Sequence, residues 1–234
     1  MNCRTSTICF YLAIVANLVF IIPAFGQELR VGVWNIERLS KSEKRGFPEL
    51  RGGSRLPPRT DADLEKMAKY IRDDLKVDAL MISEIAADSN LSTAQKPQSE
   101  QLNQVAQKMG SEWKYFLGQT GGEMRLGLLF NTKRVRLKKL VNLHAAKFPV
   151  SGKDVFDRDP FIAWISAVKD GDVQNDVLLI CVHLKSQQKP YRDNRMAAIA
   201  KLIGDYTNSE VRDTLTLPSP REEPEVIVLS LIHI

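Results

Sequence analysis

The sequence predicts an α/β protein in which helices pack on sheets. Three observations carry this. Val177 to Val182 is a six-residue apolar run between Asp176 and His183, too short for a free-standing helix and apolar enough for a strand covered on both faces. The stretches 61–75 and 98–109 instead space their apolar residues three and four apart, as a helix with one buried stripe does. From residue 113 onward, short apolar runs alternate with polar turns, the spacing of a mainly antiparallel sheet region.

Taken in order, the chain begins with the layout of an export leader. Arg4 precedes the apolar run Ile8 to Ile22, and Pro23-Ala24-Phe25-Gly26 supplies small residues ahead of a cleavage point before Gln27. A membrane anchor is the competing reading, but a run of about 15 residues falls short of the roughly 20 that span a bilayer. The protein is therefore expected to be exported, secreted or periplasmic, with no stable membrane insertion after cleavage. Residues 1–26 form the leader and 27–234 one domain. Cleavage takes Cys3 and Cys9 away and leaves Cys181 as the sole cysteine, which excludes a disulfide-stapled scaffold. The leader holds one basic and no acidic residue, so the formal net charge falls from +5 to +4. That mild excess suits a phosphate-bearing partner without singling one out.

Leu29 to Ile36 alternates: Leu29, Val31 and Val33 face one way, Arg30, Gly32 and Trp34 the other, and Asn35 sits near the strand's end. Asn35 is either a turn former or a functional amide. Ser40 to Arg59 is rich in Lys, Arg, Gly and Pro and is expected to be an exposed loop. Its five basic side chains between Lys41 and Arg55 either solubilise it or steer an anion. Thr60 caps a helix whose Asp61, Asp63 and Glu65 lie at its positive end and whose Leu64, Met67, Ala68, Ile71 and Leu75 form its buried stripe. Val77 to Ile85 follows as an apolar strand carrying Glu84 at its end. A carboxylate there needs a partner such as a divalent cation, or else a surface-facing position.

Gln98 to Met109 is the second amphipathic helix, stopped by Gly110. Strands are expected over Trp113–Gly118, Arg125–Phe130, Val135–Leu143 and Phe161–Val168. Asp157-Arg158-Asp159-Pro160 is either a charged turn or a way of presenting Arg158 to a phosphate. His183 ends its strand where sheet proteins present side chains to ligands, as a catalytic group or a capped structural one. A helix over Tyr191–Tyr206 and a strand over Glu225–Leu229 complete the chain. His144 and His233 are read as non-catalytic.

Asn35, Glu84, Arg158 and His183 all fall at or beside strand ends. Asn and Glu oxygens suit a hard cation such as Mg²⁺, and Arg and His suit the phosphate it would bridge. With the segments Val33-Trp34-Asn35-Ile36, Asp78 to Glu84, Arg125 to Phe130, Arg158-Asp159-Pro160 and Val182 to Ser186, the chain resembles the endonuclease/exonuclease/phosphatase family of DNase I-like enzymes. The resemblance runs from about residue 29 to residue 229. It implies a four-layer α/β sandwich, with Glu84 as principal metal ligand and Asn35 positioning the metal or its water. Arg158 and His183 would hold the scissile phosphate while water attacks in line. The cofactor would be Mg²⁺, or another divalent cation such as Mn²⁺ or Ca²⁺, and the protein a monomer.

The chain departs from that family where the last strand should lead into Gly-Asp-x-Asn; it reads Ser230-Leu231-Ile232-His233, and a later Asp-His pair has no counterpart. The sandwich is thus expected to be incomplete at its C-terminus, with foreign residues from Ser230 and little or no turnover. Function is read as metal-dependent phosphodiester hydrolysis, with nucleic acid as first substrate and a phospholipid or small phosphoester as second. The alternative is a non-catalytic exported protein that binds phosphate or nucleic acid.

Overall fold

A computed structural model describes residues 17–24, 27–40, 58–88, 97–121, 124–142, 158–183 and 225–231. The helix expected over Tyr191–Tyr206, the basic loop over 41–57, His144 and His233 lie outside them.

Two sheets face each other. One has the order β1 (Asn17–Ala24), β2 (Gln27–Leu39), β3 (Ala79–Ala86), β5 (Met124–Asn131), β4 (Trp113–Leu117). The other runs β6 (Val135–Asn142), β7 (Phe161–Lys169), β8 (Asp172–His183), β9 (Glu225–Leu231). Strand alternation sorts the core into two layers. Leu29, Val31, Val33, Ala79 and Met81 meet Phe161, Ala163, Ile165, Leu179 and Cys181 between the sheets. Leu80, Ile82 and Leu129 point outward and pack under the helices α1 (Asp61–Lys69) and α2 (Glu100–Met109). A helical layer on the other sheet would involve residues outside those described, so three of the four expected layers are seen.

Thr60 starts α1 as expected. Its hydroxyl accepts from the Asp63 amide at 3.2 Å while the Asp63 carboxylate accepts from the Thr60 amide at 2.9 Å, a reciprocal capping box. The helix continues as a π-helical turn, Tyr70–Leu75, that ends on Lys76 with φ of 51°. Leu64, Ala68 and Ile71 are buried, with Met67 and Leu75 packed beside them, so the expected stripe forms.

The strands expected between residues 113 and 168 pair antiparallel, and two parallel pairs lie outside that region. β4 with β5, β6 with β7 and β7 with β8 are antiparallel, but β8 with β9 and β2 with β3 are parallel. Each parallel pair is separated by a long crossover, which short turns cannot provide. β8 also begins earlier than its apolar run. Asp170 and Gly171, with φ of 52° and 90°, form a two-residue hairpin that pairs Lys169 with Asp172. β9 extends past the expected strand: Ser230 and Leu231 pair with Val182 and His183. β1 comes from the segment read as a leader and pairs antiparallel along β2, from Ala24↔Gln27 to Asn17↔Trp34. Cleavage before Gln27 would leave β2 as the sheet's edge. Among the described residues no helix is long and apolar enough to cross a membrane.

Two carboxylates that the sequence did not mark, Asp78 buried and Asp176 partly buried, fasten the strands. Asp78 accepts from the Arg30 amide at 2.9 Å and from Arg134 Nε at 3.1 Å, tying β3 to β2 and to the turn after β5. Asp176 accepts from Ser166 Oγ at 2.6 Å and Trp164 Nε1 at 3.2 Å, and also pairs with Lys138.

Cys181 lies fully buried between the sheets, and burial pushes its thiol up from 9.0 to about 12, against the opposing pull of Arg158. A raised acid favours the folded state while the thiol stays protonated. The contribution is therefore complete below pH 9.0 and is lost as pH rises toward about 12. Cys181→Ala is expected to flatten the alkaline limb of the stability curve, read from urea midpoints between these pH values. An unchanged limb would assign it to other groups.

Candidate functional site

Inward alternation along β2 places Asn35 after Val31 and Val33, and along β8 places His183 after Leu179 and Cys181. Both side chains thus cap the inter-sheet core at one end. Glu84 arrives there by a different route. On β3, Ala79 and Met81 face inward and Leu80 and Ile82 outward, so simple alternation would send Glu84 outward. Glu84 instead has φ of 66°, inside a register shift between Ile82 and Ile85. Ile85 joins the outer cluster, although the unbroken period would turn it inward, and Glu84 turns to the inner side. A left-handed backbone at a non-glycine residue costs about 1–2 kcal/mol, which the surrounding strands must hold in place.

The four candidates form one connected chain. Asn35 Nδ2 donates to Glu84 Oε1 at 3.1 Å, His183 Nε2 lies 3.2 Å from the same oxygen, and Arg158 Nη1 lies 2.7 Å from His183 Nδ1. A guanidinium can only donate, so Nδ1 accepts. His183 is therefore the neutral tautomer carrying its proton on Nε2, and it donates that proton to Glu84. Glu84 is 5% and His183 4% exposed, so the surface-facing reading of Glu84 falls. A carboxylate this buried requires the donors that surround it.

Arg158 also donates from Nε to the Met124 carbonyl, which fixes the direction of its head group. The loop after β4 holds the segment from below: Thr120 Oγ1 accepts from the Asp159 amide at 3.0 Å. Gly121 has φ of 107°, and an added Cβ would stand 2.6 Å from Arg158 Cγ and 2.4 Å from the Met124 carbonyl. Neither residue announces itself in the sequence, where the pair Gly121-Gly122 is the one available signal. Gly121→Ala is expected to displace the Arg158 head group and weaken binding of phosphate by about tenfold, the usual effect of losing one charge-assisted hydrogen bond. Isothermal titration with inorganic phosphate checks it, and unchanged affinity would remove Gly121 from the site.

A cation would find Glu84 with the Asn35 amide beside it, and the fully buried Ser83 hydroxyl next along the chain has no hydrogen-bond partner among the described residues. Among the described residues there is no cluster of three or more His, Cys, Asp or Glu able to hold a metal. One carboxylate with neutral oxygens fits a hard ion that keeps much of its own water, as Mg²⁺ does. It does not resemble a His- and Cys-rich transition-metal site.

No protein-family model and no curated protein matches the sequence. Solved structures do. The backbone is similar to an endonuclease/exonuclease/phosphatase family protein from Bacteroides thetaiotaomicron, at TM-score 0.49 and 14% identity over 79% of this chain and 59% of that one. It is also similar to TDP2 from C. elegans, at TM-score 0.48 and 16% identity over 80% and 44% of the two chains. The third is D. rerio TDP2 complexed with single-strand DNA product, at TM-score 0.47 and 15% identity over 86% and 58%. The chain thus spans between 44% and 59% of the length of these structures.

Proposed function

We propose that the chain carries the phosphate- and metal-binding end of a metal-dependent phosphoester hydrolase of the DNase I-like class. One observation carries this reading: Asn35, Glu84, Arg158 and His183 come from four distant stretches and meet at one end of the inter-sheet core. Glu84 and Asn35 would hold the cation. Arg158, anchored on the Met124 carbonyl and on His183 Nδ1, would present its guanidinium to a phosphate. The His183 Nε2 proton, engaged by Glu84 here, is the one available to a phosphate oxygen. A bound divalent cation would draw charge from the phosphoryl oxygens and favour direct attack by water. The substrate we favour is nucleic acid, followed by a phospholipid head group or a small phosphoester. Export follows from residues 1–26, and mass spectrometry of the exported protein is expected to find its N-terminus at Gln27.

The binding-protein reading has one observation in its favour, since the Asn35 and His183 donors already satisfy Glu84 Oε1. Thermal melts with bis-p-nitrophenyl phosphate separate the two. The hydrolase reading expects the phosphodiester to raise the melting temperature in Mg²⁺ and not in a chelator. An equal rise in both would sink it in favour of metal-free binding.

A further inference from the structure

A cleft of about 740 Å³ opens between the edge strands β4 and β6. It lies at the other end of the sandwich from Arg158 and His183. Its Val168 is seven residues along β7 from Phe161, roughly 23 Å at strand rise. The floor is apolar, with Phe116 and Phe130 stacked at 6.0 Å and 13° and Leu137 beside them. The rim carries Lys114, Lys133 and Arg136 against the single carboxylate Asp170. All three cations are exposed, and none makes an ion pair among the described residues. Phe116 and Leu137 are only partly buried although both pack against the inter-sheet core.

We propose that this cleft binds a small organic anion with an apolar body, an alkyl or aryl carboxylate or sulfonate. The apolar part would lie on Phe116, Phe130 and Leu137, and the acid would meet Lys133 and Arg136. The size falls within the range of pockets that enclose one small molecule. The excess of three cations over one carboxylate sets the sign of the ligand's charge. A strand of nucleic acid fits less well, because the cations gather around one pocket and Phe116 already stacks on Phe130.

The test is fluorescence titration of the full chain with 8-anilinonaphthalene-1-sulfonate, followed by displacement with decanoate. Saturable binding reversed by decanoate is expected, and Lys133→Glu with Arg136→Glu should weaken it at least about tenfold without moving the melting temperature. Both positions are exposed, so the double variant is expected to fold; Phe116→Ala is a second probe of the floor. Glu84→Gln should bind the dye like the parent, which keeps this cleft separate from the proposed hydrolase site. The proposal is overturned if the double variant binds as tightly as the parent, or if binding does not saturate. It is overturned equally if a short single-stranded oligonucleotide displaces the dye and decanoate does not.

Discussion

Mg²⁺ is expected to stabilise the parent chain, and Glu84→Gln is expected to abolish that stabilisation. At a Mg²⁺ concentration one hundred times its dissociation constant, one-site linkage raises stability by about 2.7 kcal/mol. The variant should gain close to nothing. Glutamine keeps the volume and an acceptor for Asn35 and His183 but removes the buried negative charge that a cation would seek. The backbone effect is separable from the charge. Because Glu84 sits at φ of 66°, Glu84→Gly should be more stable than Glu84→Ala by about 1 kcal/mol, since glycine pays no steric penalty there. Urea midpoints of the three variants with and without Mg²⁺ decide both points. A Mg²⁺ response surviving in Glu84→Gln would remove Glu84 as the ligand.

How much of this was legible in the sequence depends on how local the determinant is. Strands and helices were legible, because Val177 to Val182 or the stripe Leu64, Ala68, Ile71 states its environment in its own periodicity. Thr60 and Asp63 announced a helix start for the same reason. The convergence of the four site residues could be inferred only from their position at strand ends and from resemblance. Its decisive geometry was invisible: nothing in Ser83-Glu84-Ile85 says that the backbone turns left-handed and reverses the face of Glu84. Partners far apart in sequence were missed for the same reason, among them Asp176 with Ser166 and Trp164, and Gly121 beneath Arg158. Residues 17–24 show a related limit. An apolar run supports a leader and also supplies a strand to any open edge, and in the uncleaved chain it pairs with β2.

Phe161→Ala is expected to cost about 3–5 kcal/mol, the usual loss for deleting a fully buried phenyl ring. Phe161 is 2% exposed and begins β7, pairing with Asn142 on one side and Cys181 on the other. It stands three residues after Arg158, and its partner Cys181 stands two before His183. The ring therefore fills the core directly beneath the pair that would hold a phosphate. Phe161→Leu should recover most of the stability, because leucine refills much of the volume. If the ring only supports the fold, phosphate affinity measured well below the melting temperature will match the parent in both variants. If it also sets the Arg158–His183 spacing, affinity will fall in Phe161→Ala and return in part in Phe161→Leu. The 2.7 Å contact between those two side chains leaves little room for β7 and β8 to shift, so the second outcome is the one expected.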